Sequence, residues 1–238
     1  MRKTFVVGDV HGNLERFIAL LQKAGVNAQH HEIVQLGDLG DYRLSSQGND
    51  ETIWNFAKSL DNLTVLIGNH EAAIFHPSHQ FRGYAPPLPG TVRAMAEVGL
   101  LYATTRHGFL LTHAGLSPEW LKLLAPGPNE LLGHAISSLC NVPWDEFAPV
   151  RDNISRSRGG YHPVGGILWR DWREPIAEHI PQVCGHSRGN DIRQKGEAIC
   201  IDIAHRDDDN LAGIWLPSME VVAVGADAPF IERSLGEQ

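Results

Sequence analysis

Thr4-Phe5-Val6-Val7-Gly8-Asp9-Val10-His11-Gly12 decides how the chain is to be read. Thr4–Val7 predicts a short buried strand, and the run gives way at Gly8 to polar residues. Asp9 and His11 stand two apart, so at a strand end both side chains face the same way. Downstream, Leu14, Phe17, Ile18, Leu21 and Ala24 recur at the spacing of one helix face, with Asn13 placed to cap that helix and Gly25 to end it.

The same unit recurs further along. Ile33–Leu36 predicts a second strand, Glu51–Leu60 a second helix and Leu63–Ile67 a third strand, an order that implies a largely parallel sheet with right-handed crossovers. The strands end in Gly8-Asp9-Val10-His11-Gly12, Gly37-Asp38 and Gly68-Asn69-His70-Glu71. Ligands of open α/β sheets collect at the carboxyl ends of the strands, so these polar groups sit where a site belongs. His76–Gly90, with Pro77, Pro86, Pro87 and Pro89, predicts a loop or lid. A helix over Thr91–Val98, a hairpin of Leu101–Thr104 with Phe109–Thr112, and a helix starting at Pro118–Leu124 follow. From 126 to 163 the pattern weakens, which predicts a cap over the site. Strands return at Gln182–Cys184, Ala198–Ile203, Leu211–Leu216 and Val221–Val224, and the chain reads as a single domain over 1–238.

A carboxylate and an imidazole aimed at one point make a metal corner, which Asp9 and His11 supply. Asp38 has two oxygens and can bridge two metals, while Asn69 offers an amide oxygen. His113 in Thr112-His113-Ala114-Gly115 and His186 in Cys184-Gly185-His186-Ser187 add imidazoles beside glycines that permit close approach. Two divalent metals about 3.5–4 Å apart polarise a phosphoryl group and lower the pKa of a bound water. His70 follows Asn69 directly and points elsewhere, which suits a proton donor to a leaving alkoxide, with Asp41 placed to hold its imidazole in the charged form. Such mixed oxygen and nitrogen ligands accept Mn, Fe, Zn, Co or Ni, with availability deciding among them, and Mn is the ion expected.

Taken in order, GDVHG, GDLGD, GNHE, HAGLSP and CGHS resemble the metallophosphoesterase (calcineurin-like) superfamily, in its phosphoprotein phosphatase-like branch. That branch includes bacterial and phage serine/threonine phosphatases and symmetrical diadenosine tetraphosphatases. The resemblance implies a β-sandwich of two mixed sheets flanked by helices, which modifies the parallel-sheet reading for the C-terminal half. It also implies Asp9, His11 and Asp38 on one metal, Asp38, Asn69, His113 and His186 on the other, and His70 as general acid with Asp41 as its partner. One departure stands out, because the family's arginine follows the second Asp of the middle motif directly, whereas here Tyr42 intervenes before Arg43. Arg43 is the candidate phosphate clamp from a shifted backbone. Leu168-Trp169-Arg170 resembles the segment that supplies the second one, favouring Arg170 over Arg173.

The bland readings stand beside these. The remaining histidines read as surface or structural, with His76, His79 and His162 in candidate lids. The arginines over Arg151–Arg158 read as a solvated face, Asp207-Asp208-Asp209 as a solvated turn, and Trp144, Trp169 and Trp172 as packing. A net charge of −8 argues against general nucleic-acid binding. Three dispersed cysteines, Cys140, Cys184 and Cys200, argue against a disulfide framework. With no signal-like start and no apolar run near the ~20 residues of a membrane span, a cytoplasmic protein is expected. The leading expectation is phosphomonoester hydrolysis, on phosphoserine or phosphothreonine or a small phosphorylated molecule. Cleavage of dinucleoside polyphosphates such as diadenosine tetraphosphate is the alternative, then phosphodiester processing, and a non-catalytic phosphate-binding scaffold is a rival of another class.

Overall fold

The computed structural model describes residues 2–43, 49–124, 128–140, 146, 148–204 and 210–225. Its first sheet contains β1 (Lys3–Val7), β2 (His31–Gln35), β3 (Leu63–Leu66) and β4 (Leu100–Leu101), all parallel, extended by antiparallel β10 (Leu211–Leu216) and β11 (Val221–Val224) in the order β11-β10-β1-β2-β3-β4. The second sheet runs β5 (Ala103–Arg106), β6 (Phe109–Thr112), β7 (Gln182–Cys184), β9 (Ala198–Cys200) and β8 (Arg193–Lys195). It is mixed too, with parallel β6-β7 and β7-β9 pairs between antiparallel edges.

Alternation along the strands builds a layered core. Val6, Val34, Leu36 and Leu66 of the first sheet meet Leu111, Val183 and Ile199 of the second in one buried cluster. Phe5, Val7, Ile33 and Val65 face the other way, onto α1 (Leu14–Lys23) and α2 (Asn49–Lys58) through Phe17, Leu20, Ile53 and Trp54, with α4 (Pro89–Val98) beside α2 adding Ala94 and Met95. Asn13 caps α1 as its position suggests, its side chain accepting from Arg16 N at 3.1 Å. The outer side of the second sheet carries α5 (Pro118–Leu124) and α6 (Asn129–Cys140), which bury Trp120, Leu121, Leu132 and Ile136.

The two-sheet sandwich agrees with the expected fold class, and the local detail departs from expectation in two places. The predicted strand Leu101–Thr104 is split at buried Tyr102, where the chain leaves β4 in one sheet and enters β5 in the other. Apolar periodicity does not record a change of sheet. Strand β8, Arg-Gln-Lys, was not foreseen, because a three-residue edge strand made only of polar side chains carries no apolar signature. Within the expected cap, α6 packs on β5, while 154–162 comes forward beside the strand ends. Trp144 and Asp207-Asp208-Asp209 lie outside the described residues.

Candidate functional site

The carboxyl ends of β1, β2 and β3 deliver Asp9 with His11, Asp38 and Asn69, and those of β6 and β7 deliver His113 and His186. Both sheets thus point their polar ends at one place. α3 (Asn69–Phe75) starts there, and its buried Glu71 carboxylate accepts from the main-chain N–H of Asp38 at 2.7 Å, Gly68 at 2.9 Å and Gly40 at 3.2 Å. Asp9 links the sheets, accepting from His186 N with each carboxylate oxygen at 3.0 Å. Two glycines make this proximity possible. A Cβ on Gly68 would lie 2.1 Å from Asp38 Oδ1, and one on Gly185 2.0 Å from Asp9 Oδ1.

The donor atoms converge in a way hydrogen bonding alone does not satisfy. Leu36 O can only accept, so His113 Nδ1 carries the proton it gives at 2.9 Å, and Nε2 is left as a bare lone pair. That Nε2 lies 3.0 Å from Asn69 Oδ1, 3.0 Å from His186 Nδ1 and 3.6 Å from Asp38 Oδ1. His11 Nδ1 and His186 Nε2 are buried with no hydrogen-bond partner. Asp9, His11 and Asp38 form one group with ligand atoms within 4.8 Å of one another, and Asp38, His113 and His186 form a second, sharing Asp38. His11, Asp41 and His70 form a third such group.

Electrostatics point the same way. Burial, joined by neighbouring cationic groups, pushes His11 and His186 well below the usual imidazole range, and burial lowers His113, which favours the neutral form that ligates metals. Burial, then repulsion by Asp202 and Asp38, pushes Asp9 well up. Burial would raise Asp38 as well, but the imidazoles of His70, His113 and His11 outweigh it and hold it at about 2. Mutually repelling carboxylates packed among buried imidazoles are a donor set that divalent cations relieve.

His70 lines the cavity beside these groups, with Nε2 3.9 Å from Asp38 Oδ2 and its ring stacked on Phe81 at 4.3 Å. Its Nδ1 lies 2.6 Å from the main-chain oxygen of Asp41 and 3.7 Å from the carboxylate, which pairs with Arg43 instead. The expected contact of Asp41 with His70 is therefore made by its carbonyl. Arg43 lines the cavity, despite the intervening Tyr42. Tyr42 itself turns inward, 1% exposed, with Trp54 Nε1 donating to its hydroxyl at 2.6 Å.

The expectation for Arg170 is corrected. Its guanidinium is buried, donating to the main-chain oxygens of Ala114 at 2.9 Å, Asp171 at 2.9 Å and Glu174 at 3.2 Å, and it is absent from the cavity wall. The reading of Arg151–Arg158 as a solvated face also fails. Arg151 is 1% exposed, and Arg158 lines the cavity, donating to Ser187 Oγ at 2.8 Å and pairing with Asp171 at 3.1 Å. The cavity, about 760 Å³, is walled by five arginines in all: Arg43, Arg158, Arg173, Arg188 and Arg193. Sequence reading missed Glu71, whose spacing from Gly68 is that of a capping box, and Asp202, a buried carboxylate pushed up to about 6 by burial.

Residues 2–199 match the family model of the calcineurin-like phosphoesterases. The symmetrical bis(5'-nucleosyl)-tetraphosphatase of Glaesserella parasuis serovar 5 (strain SH0165) is 30% identical over 131 residues, covering 49% of this chain and 46% of the relative. That of Haemophilus influenzae (strain ATCC 51907 / DSM 11121 / KW20 / Rd) is 24% identical over 179 residues, covering 65% and 62%. The chain spans about half the length of most of the curated relatives it matches. Among solved structures, a candidate diadenosine tetraphosphatase superposes with a TM-score of 0.59 at 19% identity over 94% of this chain and 93% of that one. A Saccharomyces cerevisiae protein serine/threonine phosphatase similar to human PP5 superposes with a TM-score of 0.51 at 17% identity, over 94% and 79%. With its motifs, its sandwich and its cluster of carboxylates and imidazoles matched to a model that spans most of its length, the chain belongs to the calcineurin-like phosphoesterase family.

Proposed function

We propose that the protein is a metal-dependent phosphoester hydrolase acting on dinucleoside polyphosphates. The observation that carries this reading is the wall of five arginines around one cavity, more cationic groups than a single phosphate requires. The names of the curated relatives favour the same substrate class over the phosphoserine or phosphothreonine first expected.

Asp9, His11 and Asp38 would hold one divalent ion, and Asp38, Asn69, His113 and His186 the other. When bound, these ions polarise the phosphoryl group and acidify the attacking water. The chain's own groups do the rest. Arg43 and Arg158, each fixed by an aspartate, present guanidinium groups to non-bridging oxygens. Exposed Arg188 and Arg173 extend the grip along the anion. His70, held between the Asp41 carbonyl and the Phe81 ring, gives its proton to the leaving phosphate oxygen.

The test reconstitutes chelator-stripped protein with Mn and compares diadenosine tetraphosphate, a phosphopeptide and an aryl phosphate, with Asp38→Asn alongside. Metal-dependent turnover fastest on diadenosine tetraphosphate and lost in the variant is expected. Preference for the phosphopeptide would overturn the substrate assignment, and metal-independent turnover the site.

A further inference from the structure

A second cavity of about 720 Å³ adjoins the arginine-walled one, with Phe81 and Arg158 lining both. Its character differs. Two acidic and two basic side chains, Glu146, Asp152, Arg82 and Arg158, balance in its wall, whereas five arginines face two aspartates next door. Phe81, Trp169 and Tyr161 contribute aromatic surface. Tyr161 is 91% exposed, the most open large hydrophobic side chain among the described residues. A ring left so open on a cavity wall has given up the burial that normally holds a tyrosine in a fold.

A neutral, aromatic cavity continuous with a cationic one matches a molecule with a flat, uncharged end and a polyanionic end. We infer that the second cavity receives one nucleoside of the substrate, with Tyr161 as the platform on which the base stacks. Arg158, at the junction, takes the first phosphate beyond the ribose. Phe81, which lines both cavities, already stacks on His70, so the base lies on the Tyr161 side, away from the junction. The volume falls within the range of small-molecule pockets and exceeds what a base and ribose need. Stacking accepts any base, so the site selects for a nucleoside and distinguishes purine from pyrimidine only by stacking area.

This inference rests on the proposed function, and the experiment separates the two. Steady-state kinetics of the Mn-loaded protein are measured on diadenosine tetraphosphate and on inorganic tripolyphosphate, which offers the same charge without a base. In Tyr161→Ala the ratio of the two KM values, dinucleoside over tripolyphosphate, rises about tenfold, and Tyr161→Phe restores it. An unchanged ratio overturns the nucleoside site while leaving the proposed function in place. If the wild-type protein leaves diadenosine tetraphosphate intact, the proposed function falls, and titration with AMP followed by tryptophan fluorescence decides the nucleoside site. Saturable quenching that Tyr161→Ala weakens supports it, and no quenching overturns it.

Discussion

His11, Asp38 and His186 hold φ angles of +50°, +54° and +66°, a region that residues with a Cβ seldom occupy. Each such residue costs on the order of 1 kcal/mol, and three of them side by side aim their side chains at one point. The surrounding loops sustain this through Glu71 and through the bonds from His186 N to Asp9. Gly185→Ala is expected to break that arrangement, because its Cβ falls on Asp9 Oδ1. Metal content by elemental analysis should drop severalfold while far-ultraviolet circular dichroism stays native. His70→Ala should do the reverse, retaining metal and losing roughly 100-fold or more in kcat, the usual contribution of a positioned proton donor. Asp9, His11, Asp38 and Asn69 are legible in the sequence because each follows an apolar strand run beside glycine. Asp202 stands in such a run too, but a lone aspartate carries no partner signal, and its neighbours Arg188 and Arg193 are remote in pattern. Arg170 misled through resemblance: Leu168-Trp169-Arg170 looks like the segment that supplies the family's second phosphate-binding arginine, while here three main-chain carbonyls hold the guanidinium inside.

The loop 76–90 is held down by an element-scale chain of bonds. Trp169 Nε1 donates to His79 Nδ1 at 2.8 Å, so His79 carries its proton on Nε2 and gives it to Asp152 Oδ1 at 3.0 Å. Asp152 closes α7 (Pro149–Asp152) and also receives Arg151 Nε at 2.7 Å and Ala148 N at 2.8 Å. Burial would raise this carboxyl, but His79 and Arg151 outweigh it and hold it below the usual carboxylate range. The unfolded chain therefore binds more protons on acidification. The stabilisation is complete above about pH 4 and disappears as pH falls through the lower, folded-state value. Asp152→Ala should cost about 3 kcal/mol near neutrality in denaturant titrations, since it strips the carboxylate from buried Arg151, and the difference from wild type should narrow below pH 4. Prolines in the sequence announce a loop here, yet nothing local shows that His79 is a buried anchor, because its partners lie 73 and 90 residues away.

Across the whole molecule, the first sheet contributes Asp9, His11, Asp38 and Asn69 to the candidate ligand set and the second His113 and His186, so bound ions would tie the sandwich together. A ligand present at 100 times its Kd adds about 2.7 kcal/mol to stability. For a chain of this size that predicts a fall in Tm of about 5–10 °C on chelation, measured by calorimetry and reversed by Mn. An unchanged Tm would mean that the donor set does not bind the ion. The βαβαβ order and the motif series make the sandwich legible, whereas the crossing at Tyr102 and the charged edge strand β8 are settled by long-range pairing that no local window contains. The bond between Asp9 and the main chain of His186, 177 residues apart, carries a consequence for synthesis on the ribosome. Until His186 has emerged and β7 has docked, the first sheet holds only part of the candidate ligand set, so a nascent chain cannot close that cluster before its two sheets have met.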